Sequence, residues 1–247
     1  MSSRIVLVTG SSRGIGRAIA LRLAKDDWAV AVHYSTSEDE ARKVADLLGD
    51  SCAGVHQADL SDPNNAVEMI DKVIADQGLV ALVNNAGVYR KTDFMNDSEE
   101  QVEQAFEQVF NVNWHSPRRM IHRACQHFKE KGQGKILNIV SRVAHRGEPN
   151  ASCYAASKAA LLNLTRSLAV ETAQHNIQHF AIAPGWVETA MAREGMENRL
   201  SKILEDIPLG RMATPEDCAA AAAYLLSDEA TYLSGVVIDV NGASYLR

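Results

Sequence analysis

Two kinds of segment alternate along this chain of 247 residues. Short apolar runs rich in β-branched residues predict strands at Ile5–Val8, Trp28–Val32, Ala53–Val55, Leu79–Val83, Lys135–Val140, Ile177–Ala183 and Val236–Val240. Apolar residues three and four apart predict helices at Ile15–Lys25, Glu38–Leu48, Ala66–Ala75, Glu99–Phe128, Tyr154–Thr172 and Pro215–Leu226. Strands that alternate with helices predict an α/β fold, a Rossmann-type doubly wound sheet of seven parallel strands with helices on both faces.

The sequence between these elements predicts one domain over residues 1–247. No Pro/Gly/Ser-rich linker, low-complexity tract or fixed-period repeat divides it. The one long interval without a strand pattern is Glu188–Met212, which carries Met191, Met196, Leu200, Ile203 and Leu204 among charges. Because a segment this long between a strand and a helix is usually functional, we expect residues 188–212 to cover the substrate.

Composition excludes several classes of protein. The 25 Lys and Arg against 31 Asp and Glu give a formal net charge of −6, the opposite of what a nucleic-acid binder needs. The four cysteines, at positions 52, 125, 153 and 218, lack disulfide or metal-ligand spacing, which predicts free thiols and a cytoplasmic location. No apolar stretch is long enough to span a bilayer, and His122 and His127 are spaced poorly for a metal site.

A glycine-rich turn follows the first strand and leads into a helix: Thr9-Gly10-Ser11-Ser12-Arg13-Gly14-Ile15-Gly16. Glycines allow a pyrophosphate to approach the backbone, and the helix N-terminus offers free N–H groups and a positive dipole end. An isolated glycine triad is also compatible with a plain tight turn. Its place in the first strand-to-helix turn of a doubly wound pattern favours dinucleotide binding.

The second strand predicts which dinucleotide binds. It ends Val32-His33-Tyr34-Ser35 and lacks the acidic residue that would accept from the 2′-hydroxyl of NAD, the first acid being Glu38. We therefore expect NADP(H), with Arg13 supplying a cation and Ser35 a hydrogen bond to the additional phosphate. The alternative is that Arg13 is an ordinary solvated loop charge.

Tyr154 and Lys158 are four residues apart at the start of a predicted helix, so they share one face. A phenol is a poor acid or base at neutral pH, but a nearby ammonium favours the phenolate and lowers the pKa of the phenol. Such a pair suits general acid/base catalysis. Taken alone, however, the spacing is common on exposed helical faces.

Together these motifs resemble the short-chain dehydrogenase/reductase family. The shared features, in order, are the G-x-x-x-G-x-G turn, Asn84-Asn85-Ala86-Gly87, Asn113, Ser141, Tyr154 with Lys158, and Pro184-Gly185-Trp186-Val187-Glu188-Thr189. The resemblance runs from about residue 4 to about residue 243. It implies a cofactor site made by Gly10, Ser12, Arg13, Gly14, Ile15, Gly16, Ser35, Asp59, Leu60, Asn85, Ala86, Gly87, Tyr154, Lys158, Pro184, Gly185, Val187 and Thr189.

The resemblance also implies roles for individual residues. Asp59 and Leu60 would meet the adenine, although Asp59 has an alternative part in capping the next helix. Val187 and Thr189 would orient the nicotinamide. Tyr154 would protonate the forming alkoxide, Ser141 would polarise the substrate oxygen, Lys158 would hold the ribose and tune Tyr154, and Asn113 would hold a water in a proton relay.

Within the family the sequence is most similar to the 3-oxoacyl-acyl carrier protein reductase branch, which implies an acyl-thioester substrate. Two positions that this branch uses to dock its acidic carrier fall on Gly132 and His175, and the usual Gly-Gly near the C-terminus reads Asn241-Gly242. Docking of an acyl carrier protein is therefore in question. Another ketone, alcohol, sugar or polyol is an alternative substrate, and a non-catalytic NADP-binding regulator is an alternative function.

Cations near Ser141 present a further choice. Arg142, His145 and Arg146, with Arg90, would form a cationic rim for an anionic acyl group, or would be surface charges balanced by Glu148 and other acids. Cys153, beside Tyr154, is either oxidation-sensitive or a small packed residue. The segments Glu99–Phe128 and Tyr154–Thr172 resemble the helices through which family members form homotetramers.

Overall fold

A computed structural model of the protein describes residues 4–193 and 200–247. All strand pairs in its single seven-stranded sheet are parallel, in the order β3-β2-β1-β4-β5-β6-β7. The strands are β1 (Arg4–Val8), β2 (Trp28–Tyr34), β3 (Cys52–Gln57), β4 (Ala81–Asn84), β5 (Gly134–Ile139), β6 (Ile177–Pro184) and β7 (Val237–Val240). The α/β fold predicted from the alternating pattern is confirmed.

Nine α-helices lie among these strands within the described residues. They are α1 (Gly14–Lys25), α2 (Glu38–Leu48), α3 (Pro63–Gln77), α4 (Glu99–Phe110), α5 (Ser116–Lys131), α6 (Ser152–Glu171), α7 (Ala190–Arg193), α8 (Leu200–Glu205) and α9 (Pro215–Leu226). Helix α3 begins after Asp62, whose carboxylate accepts from the Asn64 N–H at 2.8 Å. Asp62 therefore caps α3, and the carboxylate of Asp59 instead accepts from the Ser61 N–H at 2.9 Å.

The helix predicted over Glu99–Phe128 is present and continues to Lys131, but a π-helical turn at Asn111–His115 interrupts it and divides it into α4 and α5. Pro117 explains the interruption. In a continuous α-helix its ring would clash with the carbonyl of Asn113, and it has no N–H to donate there. The Ser116 N–H instead bonds to the Asn111 carbonyl, five residues back. The wider turn thus lies at a predicted catalytic position, where π turns are frequent.

The helices cover both faces of the sheet. On one face α1 packs against α9, beside α2, and on the other α3 packs against α5 and α4 against α6. Strand β1 lies between β2 and β4, so the chain changes direction across the sheet at β1. Ligands of doubly wound sheets bind at the carboxyl ends of the strands flanking such a point. No helix within residues 4–193 and 200–247 is long and apolar enough to cross a membrane.

The predicted covering segment contains α7 and α8. Ile203, Ile207 and Met212 are buried together, with Trp186 and Leu200 packed against them. Met196 lies outside the described residues. This apolar cluster is separate from the two that line the faces of the sheet.

Candidate active site

The glycine-rich turn lies at the carboxyl end of β1, and its glycines are required by close contacts. Gly10 has a φ of +63°, which favours glycine. A Cβ on Gly16 would lie 2.4 Å from the Gly10 carbonyl oxygen and 2.4 Å from Asn85 Nδ2. The first turn of α1 has no side-chain cap and no acidic residue. This arrangement leaves the helix N-terminus available to an anion.

The Asn84-Asn85-Ala86-Gly87 motif fixes this turn against β4. Thr9 Oγ1 accepts hydrogen bonds from the Asn85 and Ala86 N–H groups, both at 3.0 Å, and Asn85 Nδ2 donates to the Thr9 carbonyl at 2.8 Å. Asn84 Nδ2 donates to Asn138 Oδ1 on β5 at 2.8 Å. The motif therefore joins the ends of β1, β4 and β5, where the predicted cofactor and catalytic residues lie.

The residues predicted to contact the adenosine part lie at the adjacent strand ends. Arg13 is the exposed N-cap residue of α1 and has no ion pair among the described residues. Ser35 is exposed directly after β2. Asp59 is exposed, whereas the Leu60 side chain is 3% exposed and belongs to the core, so Leu60 can offer a ligand little beyond its backbone.

Ser141 and Tyr154 come together at the end of β5. Ser141 precedes a short 3-10 turn, where its Oγ accepts from the Val143 N–H at 3.3 Å. Tyr154 lies in the first turn of α6, beside the Ser141 side chain. Burial raises the pKa of Tyr154 to about 12, and the neighbouring Ser141 hydroxyl opposes this rise. The phenol is thus protonated at neutral pH and able to donate.

Lys158 lies one turn further along α6 and is 3% exposed. Its Nζ donates to the Ile139 carbonyl at 2.9 Å and lies 5.7 Å from the centre of the Tyr154 ring. Burial lowers the pKa of Lys158 to about 8. The four-residue spacing predicts that this ammonium lowers the pKa of Tyr154. In the chain itself desolvation of the phenol dominates, and the shift has the opposite sign.

Asn113 is fully buried in the π turn, and its side chain contacts the loop after β4. Oδ1 accepts from the Val88 N–H at 2.9 Å, while Nδ2 donates to the Val88 carbonyl at 3.0 Å and to Ser157 Oγ at 3.1 Å. A Cβ on Gly87 would lie 3.3 Å from both Asn113 Oδ1 and Lys158 Nζ. The structure therefore brings Asn113 and Lys158 to the same glycine, with the Asn113 amide engaged by protein groups.

The segment Pro184–Thr189 passes from β6 over the glycine-rich turn. A Cβ on Gly14 would lie 3.4 Å from Thr189 Cγ2, which places Thr189 beside the turn. Val187 is 5% exposed and forms an isolated parallel bridge with Ala213, so its backbone is fixed in place. Gly185 lies close to Asn241: a Cβ added to Gly185 would be 3.0 Å from the Asn241 Cβ.

Tyr89 was not singled out by sequence, although its ring lies edge-on to Tyr154 with centroids 5.5 Å apart. Its hydroxyl donates to the Asn150 carbonyl at 3.1 Å. Tyr89 follows the Asn84–Gly87 motif by two residues, which is the only sequence signal for its location. Contact with Tyr154 depends on the tertiary fold.

Both predictions for Arg142, part of a cationic rim or a solvated surface charge, place it at the surface, and both are wrong. Its side chain is 8% exposed and pairs with Glu148 at 3.2 Å. It also donates to Ser244 Oγ at 2.9 Å and lies over the Trp186 ring. The predicted pairing with Glu148 is confirmed, but the Arg142 end of the pair is buried and its contacts join three segments.

The other candidates near the site have local roles. Arg90 Nε donates to Gln108 Oε1 at 2.7 Å, and the His145 ring stacks on Tyr245 with centroids 6.2 Å apart. Cys153 is fully buried, as expected for a packed residue, and burial raises the pKa of its thiol. In the part of the chain that the structure describes, no cluster of three or more His, Cys, Asp or Glu is placed to hold a metal ion.

Comparisons with known proteins agree with this geometry. A family model described as enoyl-(acyl carrier protein) reductase matches residues 10–243. The 3-oxoacyl-acyl-carrier-protein reductase FabG of Escherichia coli is 36% identical over 244 residues, which cover 98% of each protein.

Two solved structures are similar over nearly their whole length. The 3-ketoacyl-(acyl-carrier-protein) reductase of Brucella melitensis, complexed with NADH, has a TM-score of 0.89 and 30% identity, covering 98% of each chain. The acetoin dehydrogenase of Enterobacter cloacae has a TM-score of 0.88 and 32% identity, covering 99% of this chain and 96% of that one. With a family model and relatives that match it almost end to end, this chain belongs to the short-chain dehydrogenase/reductase family of oxidoreductases.

Proposed function

We propose that the protein is an NADP(H)-dependent reductase of carbonyl groups, with Asn113, Ser141, Tyr154 and Lys158 as its catalytic residues. The observation that carries the proposal is that Ser141 and Tyr154 lie side by side at the end of β5, with buried Lys158 one helical turn away. Two neighbouring hydroxyls do not require a buried lysine for stability. Burying that lysine is unfavourable, which supports a functional reason for it.

The residues around the glycine-rich turn fit a dinucleotide phosphate. A Cβ at Gly16 or at Gly10 would lie too close to neighbouring atoms of the protein. The first turn of α1 carries no acidic residue that would repel an anion. The proposed cofactor residues are those of the turn (Gly10, Ser12, Arg13, Gly14, Ile15, Gly16), those of the adjacent strand ends (Ser35, Asp59, Leu60, Asn85, Ala86, Gly87), Tyr154 and Lys158, and Pro184, Gly185, Val187 and Thr189. Exposed Arg13 favours NADP(H) over NAD(H).

When bound, the nicotinamide supplies the hydride. The protein's own groups handle the proton and the oxygen. Ser141 donates a hydrogen bond to the substrate carbonyl oxygen, and Tyr154, protonated at neutral pH, delivers the proton to that oxygen as its charge develops. Lys158 holds the ribose and supplies positive charge next to Tyr154. Asn113 fixes the Val88 backbone and thereby the loop beside Lys158.

The proposed substrate is a 3-oxoacyl thioester, supported by the names of the E. coli and B. melitensis relatives. A small neutral ketone is the second candidate, because the E. cloacae relative is named for acetoin. The buried Arg142–Glu148 pair leaves no free guanidinium at Arg142 for an anionic acyl group. Gly132 and His175 replace carrier-docking cations, so free thioesters such as acetoacetyl-CoA are better test substrates than carrier-linked ones.

We further propose a single domain, a homotetramer and a cytoplasmic location. Residues 188–212 cover the substrate within a single domain of residues 1–247, and α4, α5 and α6 form the contacts of a homotetramer. Exposed Val170 on α6, at 82%, offers an apolar group to such a contact. The four free thiols support a cytoplasmic location. Light scattering coupled to gel filtration measures the oligomer directly.

The decisive experiment replaces Tyr154 with phenylalanine. NADPH oxidation with acetoacetyl-CoA should fall by at least a thousandfold, while the NADPH Kd measured by fluorescence stays within about threefold, because the ring remains and only the proton donor is lost. Tyr232→Phe, at a fully exposed tyrosine, is the matched control and should keep full activity. Substantial turnover by Tyr154→Phe would refute the catalytic assignment.

Two further comparisons test cofactor and substrate. Arg13→Ala should raise the KM for NADPH at least tenfold and change the KM for NADH little, since only NADPH carries the extra phosphate. Equal effects on both cofactors would reject the role of Arg13. A panel of acetoacetyl-CoA, carrier-linked acetoacetate and acetoin decides the substrate class by kcat/KM, and a preference for acetoin would replace the thioester proposal.

A further inference from the structure

His33 is a buried polar side chain of β2 that connects two turns at the carboxyl edge of the sheet. It is 2% exposed. Its Nδ1 accepts from the Gly10 N–H at 2.8 Å, and its Nε2 is 3.0 Å from the carbonyl oxygen of Ala58. Gly10 begins the glycine-rich turn, and Ala58 precedes Asp59 in the turn after β3. One imidazole therefore spans the turns proposed to hold the phosphates and the adenine.

The hydrogen-bond partners determine the protonation state of this ring. A backbone N–H can only donate, so Nδ1 must be the unprotonated nitrogen. The proton then lies on Nε2 and is donated to Ala58 O. Burial lowers the pKa of His33 to about 4, which keeps the ring neutral at physiological pH. Both nitrogens are thus fully used, and neither is available to a ligand or a metal.

The backbone of His33 strengthens the same connection. Its N–H donates to Ser11 Oγ at 2.9 Å, and its carbonyl accepts from the Ser11 N–H at 3.0 Å. Gly10 and Ser11 are therefore held by one residue of the neighbouring strand. The turn residues that follow are the ones proposed to meet the phosphates, and their location depends on where Gly10 and Ser11 are held.

We propose that His33 is a positioning residue for the dinucleotide, acting through Gly10 on the phosphate-binding turn and through Ala58 on the adenine side. This inference rests on the proposed NADP(H) function. It predicts that changing the imidazole alters cofactor affinity more than it alters the chemical step. A purely structural role would lower the thermal stability and leave the Kd of the folded protein unchanged.

Two amide substitutions separate the two hydrogen bonds. In His33→Asn the side-chain oxygen can replace Nδ1 as the acceptor for Gly10, whereas in His33→Gln the amide N–H can replace Nε2 as the donor to Ala58. His179→Gln is the matched control, because His179 is also fully buried and its bonded partners, Thr172 and Ser234, belong to neither turn. Each variant is confirmed as folded by circular dichroism before binding is measured.

The measurement is the NADPH Kd by fluorescence titration, with kcat and KM as a second readout. We expect His33→Gln to raise the Kd at least fivefold, the equivalent of about 1 kcal/mol, because the buried Gly10 N–H loses its acceptor. His33→Asn should bind more tightly than His33→Gln, and kcat at saturating NADPH should change less than twofold in both. His179→Gln should keep the wild-type Kd.

The outcomes separate this inference from the proposed function. If wild-type protein fails to bind NADPH, the proposed function is refuted and this inference with it. If the wild type binds but His33→Gln changes the Kd less than fivefold, or His179→Gln changes it equally, only the role of His33 is overturned. If His33→Gln does not fold, His33→Asn decides, because it has lost the donor to Ala58: a Kd raised more than twofold in His33→Asn but not in His179→Gln supports the role of His33, and equal Kd values overturn it.

Discussion

Replacing Gly16 with alanine should lower both the stability of the protein and its affinity for NADPH. The added Cβ would lie 2.4 Å from Gly10 O and from Asn85 Nδ2, whereas ordinary contact begins at 3.4 Å. Both the Gly10 backbone and the Asn85 amide must therefore move, or α1 must shift away from them. The amide cannot move without weakening its hydrogen bonds to Thr9 O and Gly10 O, at 2.8 and 3.2 Å.

The size of the effect on stability follows from three contributions. Overpacking costs about 2 kcal/mol, and the weakened hydrogen bonds cost about 1 kcal/mol. Alanine in place of glycine inside a helix returns about 1 kcal/mol. The free energy of unfolding should thus fall by about 2 kcal/mol, which for a chain of this length lowers Tm by about 4–8 °C.

The assay is thermal unfolding of the protein without cofactor, at equal protein concentration, followed by titration with NADPH. Gly147→Ala is the matched control, because a Cβ there would meet nothing within 4 Å. We expect the control to unfold and bind as the wild type does. A Gly16→Ala protein that unfolds within 1 °C of the control and binds NADPH equally well would refute the argument that close packing requires this glycine.

Three further predictions concern the electrostatics. The pKa of Lys158 is lowered to about 8, so the folded state gives up this proton before the unfolded state does, and stability rises with pH between about 8 and 10.5. Lys158→Met should therefore raise Tm at pH 7, and this gain should disappear above about pH 10.5. The same substitution should abolish turnover. A lower Tm at pH 7 would contradict the stability argument. Glu148→Gln leaves the Arg142 charge buried and should cost about 2 kcal/mol in urea unfolding, and adding Arg142→Met should restore most of it. The Arg211 guanidinium holds the pKa of Asp217 at about 2. Asp217→Asn should therefore destabilise the protein by its full amount above about pH 4, and by progressively less as the pH falls towards 2. Urea unfolding midpoints across this pH range measure the difference.

The sequence predicted best those features that are fixed by local chemistry. The alternation of apolar strands with amphipathic helices indicated the fold, and Gly10, Gly14 and Gly16 lie, as that pattern places them, where β1 passes into α1. Strand ends were predicted less well, because β2 continues to Tyr34 only through its pairing with Gln57 on β3. Polar residues at strand ends interrupt the apolar run from which a strand is predicted, so the run ends before the strand does.

Features that depend on contacts between segments distant in the sequence were not predicted. The inward direction of Arg142 requires Glu148, Trp186 and Ser244, which lie in three parts of the chain. The raised pKa of Tyr154 results from burial, which a spacing of four residues does not reveal. The π turn did have a signal, since Pro117 cannot continue an α-helix through Asn113, but apolar periodicity runs through it unchanged.

The packing of α1 against α9 has a consequence for how the chain is made. Helix α1, which buries Ala18, Ile19 and Leu23, packs against a helix that begins at Pro215, about 190 residues later. At about 5–20 residues per second, a ribosome needs roughly 10–40 s to synthesise that interval. During this time α1 lacks α9, one of its native packing partners. We therefore expect chains that stall before residue 226 to aggregate or to be retained by chaperones, rather than to fold as a stable N-terminal half.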